Sequence, residues 1–270
     1  MPTALVTGAS RGLGAVFAER LARDGFDLVL VARDRIGLEH TAAAVRGNGV
    51  TAEVLVADLA DPTARATVEH RLADASRPVD VLVNNAGVEN GNAFIQADLR
   101  DLQKQIDTNI TAVMSLTHAA LRGMIARANG SVINVASFAG YLSSPGNTYA
   151  STKAWVLAFT DTMAASLPGT GVSMIALCPG RMRTGKHDAP KTPSPLWLKP
   201  AAVVDQCLRD LARGRSLCTP GVVYRTVVGA LEMPRRTLRG LARLAGRGRA
   251  QRRGRAGRTH ARSAADRIAA

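Results

Sequence analysis

Three things are scarce in this chain, and each scarcity excludes something. Cysteine occurs three times in 270 residues, as Cys178, Cys207 and Cys218. The number is odd, the spacing is wide and C-x-x-C is absent, so neither a disulfide framework nor a zinc site is expected. Reduced thiols fit a cytoplasmic protein. Long apolar runs are missing too: none approaches the roughly 18 residues of a membrane span. Met1-Pro2-Thr3 enters an apolar strand pattern at once, with no basic region and no Ala-x-Ala site, so a secretory signal is not expected. Acids are few, 21 against 35 basic residues. That imbalance is local. Residues 235–270 hold twelve arginines and one acid, Asp266, which places +11 of the net +14 there and leaves +3 for the first 234 residues. A nucleic-acid-binding body needs a basic face of its own; this body is nearly neutral. Hydrophobic residues make up 46%, which excludes a mostly disordered chain.

What is present is alternation. Short Val/Leu/Ile-rich runs at Thr3–Thr7, Asp27–Ala32, Thr51–Val56, Val79–Val83, Ser131–Val135 and Val172–Leu177 read as strands. Between them, helical spacing of apolar residues covers Gly12–Arg23, Asp34–Arg46, Thr63–Ala75, Leu99–Arg127 and Tyr149–Leu167. Continuous apolar strands suit a parallel sheet buried on both faces. Repeated βαβ units with right-handed crossovers give a doubly wound α/β sheet, with its ligand site beyond the carboxyl ends of the strands. Residues 183–200 contain four prolines and read as a loop, a candidate lid. Ala201–Arg213 resumes a helix and Ser216–Thr219 adds an edge strand. The expected organisation is one folded domain over 1–234 and a basic Arg/Gly-rich tail over 235–270. Leucines at 238, 241 and 244 permit one short amphipathic helix in the tail, but five glycines limit it. Blocks of like charge are usually disordered and solvating; contact with an anionic membrane or nucleic acid is the other reading.

The chemically suggestive residues fall in the loops that follow the strands. Thr7-Gly8-Ala9-Ser10-Arg11-Gly12-Leu13-Gly14 lies between the first strand and the first helix. Glycines let backbone amides approach a pyrophosphate, and the helix N-terminus adds partial positive charge. Asn84-Asn85-Ala86-Gly87, Ser137, Tyr149-x-x-x-Lys153 and Pro179-Gly180 follow in order. This set, over about Thr3 to Thr219, resembles the short-chain dehydrogenase/reductase family, in the branch of general oxidoreductases with a Rossmann-type fold.

An acid about 20 positions past the glycines would bind the adenosine ribose and favour NAD, whereas an arginine accommodates a 2′-phosphate. Here Ala32-Arg33 ends the second strand, with Arg33 19 positions beyond Gly14. Arg11 is a second cation near the same region. Two guanidinium groups around one phosphate suit bidentate recognition, so the expected cofactor is NADP(H). Asp34 is the alternative: in the ribose position it would restore NAD. The resemblance further implies that Asp58 bonds the adenine, with Leu59 beside it. It implies that Asn85, Ala86 and Gly87 line the cofactor, and that Pro179, Gly180 and Thr184 orient the nicotinamide.

Reduction of a carbonyl needs a proton donor. Tyr149 and Lys153, four apart on a helix, share a face. An ammonium there, together with the positive nicotinamide ring of the oxidised cofactor, is expected to lower the tyrosine pKa, with Tyr149 as acid/base and Lys153 binding the nicotinamide ribose. Ser137 would hold the substrate oxygen. The resemblance gives Asn109, disfavoured in mid-helix otherwise, the role of holding a water in a proton relay. His118 reads as a packed or interface residue. His187 is a weaker candidate for substrate contact. Arg181 and Arg183 are either solvated or favour an anionic substrate. Phe94, Phe138, Tyr141, Leu142, Leu196 and Trp197 in the variable loops hint at a lipophilic carbonyl or alcohol. A homodimer or homotetramer through the two longest helices follows from the resemblance. The competing function is a catalytically silent nucleotide-sensing or scaffold protein on the same fold.

Overall fold

The apolar runs assemble as parallel strands in the computed structural model, which describes residues 1–91, 93–142, 146, 148–182 and 196–233. The strands are β1 (Thr3–Thr7), β2 (Asp27–Ala32), β3 (Ala52–Val56), β4 (Val81–Asn84), β5 (Gly130–Val135), β6 (Val172–Leu177) and β7 (Leu217–Cys218). They form one sheet in the order β3-β2-β1-β4-β5-β6-β7. The chain winds outward from β1 to β3, then returns to place β4 against the other side of β1. The order therefore reverses between β1 and β4, and a crevice opens there at the carboxyl ends.

Strand period 2 sends alternate residues to opposite faces. Ala4 and Val6 of β1 pack with helices α1 (Gly12–Arg23), α2 (Arg35–Arg46) and α7 (Pro200–Ala212), through Phe17, Leu38 and Val204. Leu5 faces the other way, onto Val68 of α3 (Pro62–Ala73) and Leu116 of α5 (Ala112–Ala126). Full burial of one such side chain contributes about 1.5–3 kcal/mol. Helix starts are set by acids in the β-to-α turns. Asp34 accepts from Gly37 N at 3.1 Å, and Asp61 from Ala64 N at 2.7 Å with Pro62 behind it. These are N-caps. Helix α1 begins at Arg11 with no side-chain cap.

One expected helix is interrupted. The segment Leu99–Arg127 divides into α4 (Leu99–Ile106), a π-helical turn at Asp107–Thr111, and α5. The extra residue of a π-turn swings Asn109 sideways, where it is 0% exposed and bonded to other elements rather than to its own helix. Helix α6 covers Thr148–Ser166, and a final helix runs over 222–233. Met1–Arg225 forms one compact unit and Thr226–Ala270 a second, of which 226–233 is the helical part described. The candidate lid over 183–195 and the arginine-rich tail lie outside the described residues. No described helix is long and apolar enough to cross a membrane.

The sheet centre carries a buried polar ladder. Asn84 and Asn134 are register partners on β4 and β5. Asn84 Nδ2 donates to Asn134 Oδ1 at 2.9 Å and to Thr117 Oγ1 at 3.0 Å. Asn134 Nδ2 donates to Thr160 Oγ1 at 3.0 Å, tying β5 to α6. Loss of one partner in such a network leaves a buried donor unmet, at about 1–3 kcal/mol. Asn134→Leu is therefore expected to lower unfolding stability by about 2 kcal/mol in urea denaturation. A loss below about 0.5 kcal/mol would show that the ladder is dispensable.

Candidate active site

The crevice is built first by two loops that hold each other. Thr7, the last residue of β1, donates its hydroxyl to Val83 O at 3.3 Å and accepts from the backbone N–H groups of Asn85 and Ala86 at 2.9 and 3.0 Å. Asn85 Nδ2 in turn donates to Thr7 O at 2.9 Å and Gly8 O at 3.3 Å. The glycine loop after β1 and the Asn-Asn-Ala-Gly loop after β4 are thus one hydrogen-bonded unit. Gly8 has φ +65°, a backbone that suits glycine. At Gly14 a Cβ would stand 2.2 Å from Gly8 O, so only glycine lets α1 approach this closely. Gly8, Ser10, Arg11, Gly12 and Leu13 line a cleft of about 1050 Å³, and Gly14 packs beneath them. Asn85, Ala86 and Gly87 form its opposite wall.

At the β2–β3 end the cleft is lined by Arg33, Asp34, Asp58 and Leu59. Asp58 Oδ2 lies 3.7 Å from Arg33 Nη1 and 3.3 Å from Lys104 Nζ. Burial raises the Asp58 carboxyl, but the Ala60 N–H and the two cations outweigh it and hold the group below the usual carboxylate range. Asp34 spends its carboxylate on capping α2.

At the β5–β6 end stand the chemical groups. Ser137 follows β5; its Oγ accepts from Ala139 N at 3.2 Å and hydrogen-bonds the Tyr149 phenol. Tyr149, in the first turn of α6, is pushed up to about 12 by burial and by the Glu89 carboxylate, with the Ser137 hydrogen bond pulling the other way. The lowering expected from sequence concerns the complex, where the oxidised nicotinamide ring acts together with the ammonium. Lys153 Nζ lies 5.6 Å from the Tyr149 ring centroid and donates to Val135 O at 2.8 Å instead. It is 3% exposed, and burial alone holds it down to about 8. Asn109 reaches the same spot. A Cβ on Gly87 would sit 3.3 Å from Lys153 Nζ and 3.4 Å from Asn109 Oδ1. The Asn109 amide accepts from Val88 N and donates to Val88 O, both at 2.9 Å, and donates to Thr152 Oγ1 at 3.0 Å. It clamps the loop after β4 onto α6.

A family model described as short chain dehydrogenase matches residues 2–192. The chain belongs to the short-chain dehydrogenase/reductase family. It is 37% identical over 179 residues to the ketoacyl reductase HetN of a Nostoc species, a match covering 66% of this chain and 62% of that one. It is 36% identical over 184 residues to the oxidoreductase UcpA of Escherichia coli, covering 67% and 70%. Among solved structures, a bulky-bulky ketone specific alcohol dehydrogenase from Comamonas testosteroni superposes with TM-score 0.80 at 32% identity, over 89% of this chain and 94% of that one. A short-chain dehydrogenase from Sphingobium yanoikuyae in complex with NADPH has TM-score 0.80 at 34% identity, over 89% and 96%.

In this chain Pro179 and Gly180 also line the cleft, and a Cβ on Gly180 would lie 2.0 Å from the Tyr224 ring. Tyr224 escaped the sequence reading. Its hydroxyl donates to Leu196 O at 2.9 Å and accepts from Arg181 N at 3.2 Å, and its ring meets Phe138 edge-on at 4.9 Å. Glu89 and Lys104 were missed as well; single charges in loops and on helix surfaces leave no periodic trace. Phe138, Leu142, Leu196 and Trp197 line the cleft as expected, whereas Phe94 and Tyr141 do not. His118 is exposed on α5. Thr184, Arg183 and His187 lie outside the described residues.

The buried lysine gives a pH signature. Below pH 8 the amine is charged in both folded and unfolded chains, and the fold carries the cost of burying it. Between the folded value of about 8 and the ordinary 10.5, the unfolded chain binds the extra proton, so stability rises with pH. Urea unfolding of the cofactor-free protein is expected to show this rise from pH 8 to 10, and Lys153→Met is expected to lose it. Parallel profiles for the two proteins would contradict a depressed Lys153 pKa in the folded chain.

Proposed function

We propose that the protein is an NADP(H)-dependent oxidoreductase that interconverts a carbonyl and an alcohol, with Tyr149 as the proton donor. The observation that carries this reading is a phenol kept protonated by burial, hydrogen-bonded to Ser137, at one end of a dinucleotide-sized cleft whose other end has a glycine loop. A phenol at about 12 is a donor at neutral pH, which is what the carbonyl-reducing direction needs.

The cleft suits a dinucleotide on its own geometry. Helix α1 starts without a side-chain cap, so its first-turn N–H groups at Gly12 and Leu13 are available to a phosphate. Gly8 and Gly12 present no side chain to the cleft, and Gly14 lets α1 pack close behind the loop. Arg11 and Arg33 flank the β2 end, and the competing acid, Asp34, is committed to a helix cap. That commitment supports NADP(H) over NAD. Asp58 and Leu59 would meet the adenine, and Asn85, Ala86, Gly87, Pro179 and Gly180 the nicotinamide half. Bound there, the nicotinamide supplies or accepts the hydride. Ser137 would hold the substrate oxygen and Tyr149 deliver its proton. Lys153, released from Val135 O, would bind the ribose, and Asn109 would carry the relay. The family relatives and the NADPH-bound neighbour point the same way.

Three buried free thiols suit a reducing, cytoplasmic setting. Exposed Leu99, Ile106, Met114 and Ile125 on α4 and α5 support the homodimer or homotetramer expected through the Leu99–Arg127 segment and α6. The domain division at 234/235 and an anionic partner for the basic tail belong to the same reading. No observation favours the nucleotide-sensing alternative.

Tyr149→Phe is expected to cut kcat by at least about 10²-fold while NADPH binding, followed by fluorescence, persists. A variant that kept most of its turnover would refute the role. Arg33→Asp is expected to lower the NADPH-to-NADH ratio of kcat/KM by at least about tenfold, and an unchanged ratio would remove Arg33 from cofactor selection.

A further inference from the structure

The β2–β3 end of the cleft is short of positive charge for a phosphorylated ribose. Among the described residues its lining carries two cations, Arg11 and Arg33, and two carboxylates, Asp34 and Asp58, so by count it is neutral. A 2′-phosphate brings about −1.5 to −2 charges at pH 7. Arg33, moreover, already leans on a carboxylate, with Nη1 3.7 Å from Asp58 Oδ2. A third cation answers both difficulties. Lys104 stands outside the lining, yet its Nζ lies 3.3 Å from the same Asp58 oxygen. The other oxygen, Oδ1, accepts from Ala60 N at 3.1 Å. Both oxygens of Asp58 therefore keep a partner when Arg33 turns away. Lys104 is carried by a fixed element, the last turn of α4, a helix capped by Asp98 and held by buried Leu102 and Gln105.

We propose that Lys104 is a positioning residue for cofactor selection: as the standing counter-ion of Asp58 it releases Arg33 to the 2′-phosphate and gives this end of the cleft the excess positive charge that NADPH needs. The inference rests on the NADP(H) reading above and deepens it. Lys104 acts through Asp58 and does not touch the cofactor. An uncompensated Asp58 would oppose the phosphate twice, by competing for the Arg33 guanidinium and by repelling the anion. An ammonium 3.3 Å from the carboxylate offsets its field in both respects. The coupling is already present in the protein alone: against desolvation by burial, the Ala60 N–H, Lys104 and then Arg33 hold the Asp58 carboxyl low. NADH has no 2′-phosphate, so Lys104 does little for it. The pair is not there for stability. The Lys104 and Asp58 side chains are 45% and 34% exposed, and ion pairs this exposed contribute little to the fold.

The test is fluorescence titration of the full chain with NADPH and with NADH, without substrate. The wild type is expected to bind NADPH at least about tenfold more tightly than NADH. Lys104→Gln is expected to cut that preference by at least about threefold, through a weaker NADPH complex, and Lys104→Arg to keep it. In an Asp58→Asn background the same Lys104→Gln change is expected to alter the preference by less than about 1.5-fold, because the charge it offsets is gone. The urea midpoint of Lys104→Gln is expected to match the wild type. A preference that Lys104→Gln leaves intact overturns the proposal. So does a loss just as large in the Asp58→Asn background, with Lys104 then acting on the phosphate directly, and so does equal weakening of both cofactors with a lowered urea midpoint, which marks a structural role. The cofactor reading fails separately: a wild type that binds NADH as tightly as NADPH sinks that reading and this proposal with it, whereas an NADPH preference indifferent to Lys104→Gln sinks this proposal alone.

Discussion

The hydroxyl of Thr7 is the joint on which the site depends. It satisfies two backbone N–H groups of the loop after β4 and is itself anchored on Val83 O, while Asn85 returns two hydrogen bonds to the glycine loop. Parallel neighbours β1 and β4 thereby end at the same level, with their loops splayed apart by the reversal of winding but not free to drift. The loops after β1 and β4 are both positioned from this joint. Hydrogen bonds buried at a strand end are costly to break, so the cleft is preformed by the fold.

The other half is organised by α6, which carries Tyr149 and Lys153 one turn apart and receives Asn109 through Thr152. Burial does opposite things to the two titrating groups: it keeps the phenol protonated and the amine close to neutrality. Both effects come from desolvation, which disfavours whichever form is charged. The pair is thus a protonated phenol one helical turn from an amine that burial brings down to about 8.

Much of this was legible in the residues. Runs such as DLVLVA read as strands buried on both faces, and they are. The order of glycine loop, Asn-Asn-Ala-Gly, Ser137 and Tyr149-x-x-x-Lys153 named the family. Three things were not legible. The π-turn at Asp107–Thr111 keeps the apolar spacing of a helix on both sides, so periodicity reads straight through it. The direction of the Tyr149 shift in the protein alone comes from burial and from Glu89, neither of which spacing tells. Tyr224 reaches Phe138, Arg181 and Leu196 from far along the chain, and no local pattern announces a contact of that kind.

The Tyr224 phenol has a further consequence. With one hydroxyl it fastens the backbone at Arg181 and at Leu196, and the chain is stitched again where Leu198 N–H meets Arg181 O at 2.8 Å. Arg181 and Leu196–Leu198 are thereby held to one another. A change at Tyr224 would loosen both backbone segments at once, and with them the Met182 and Leu196 walls of the cleft.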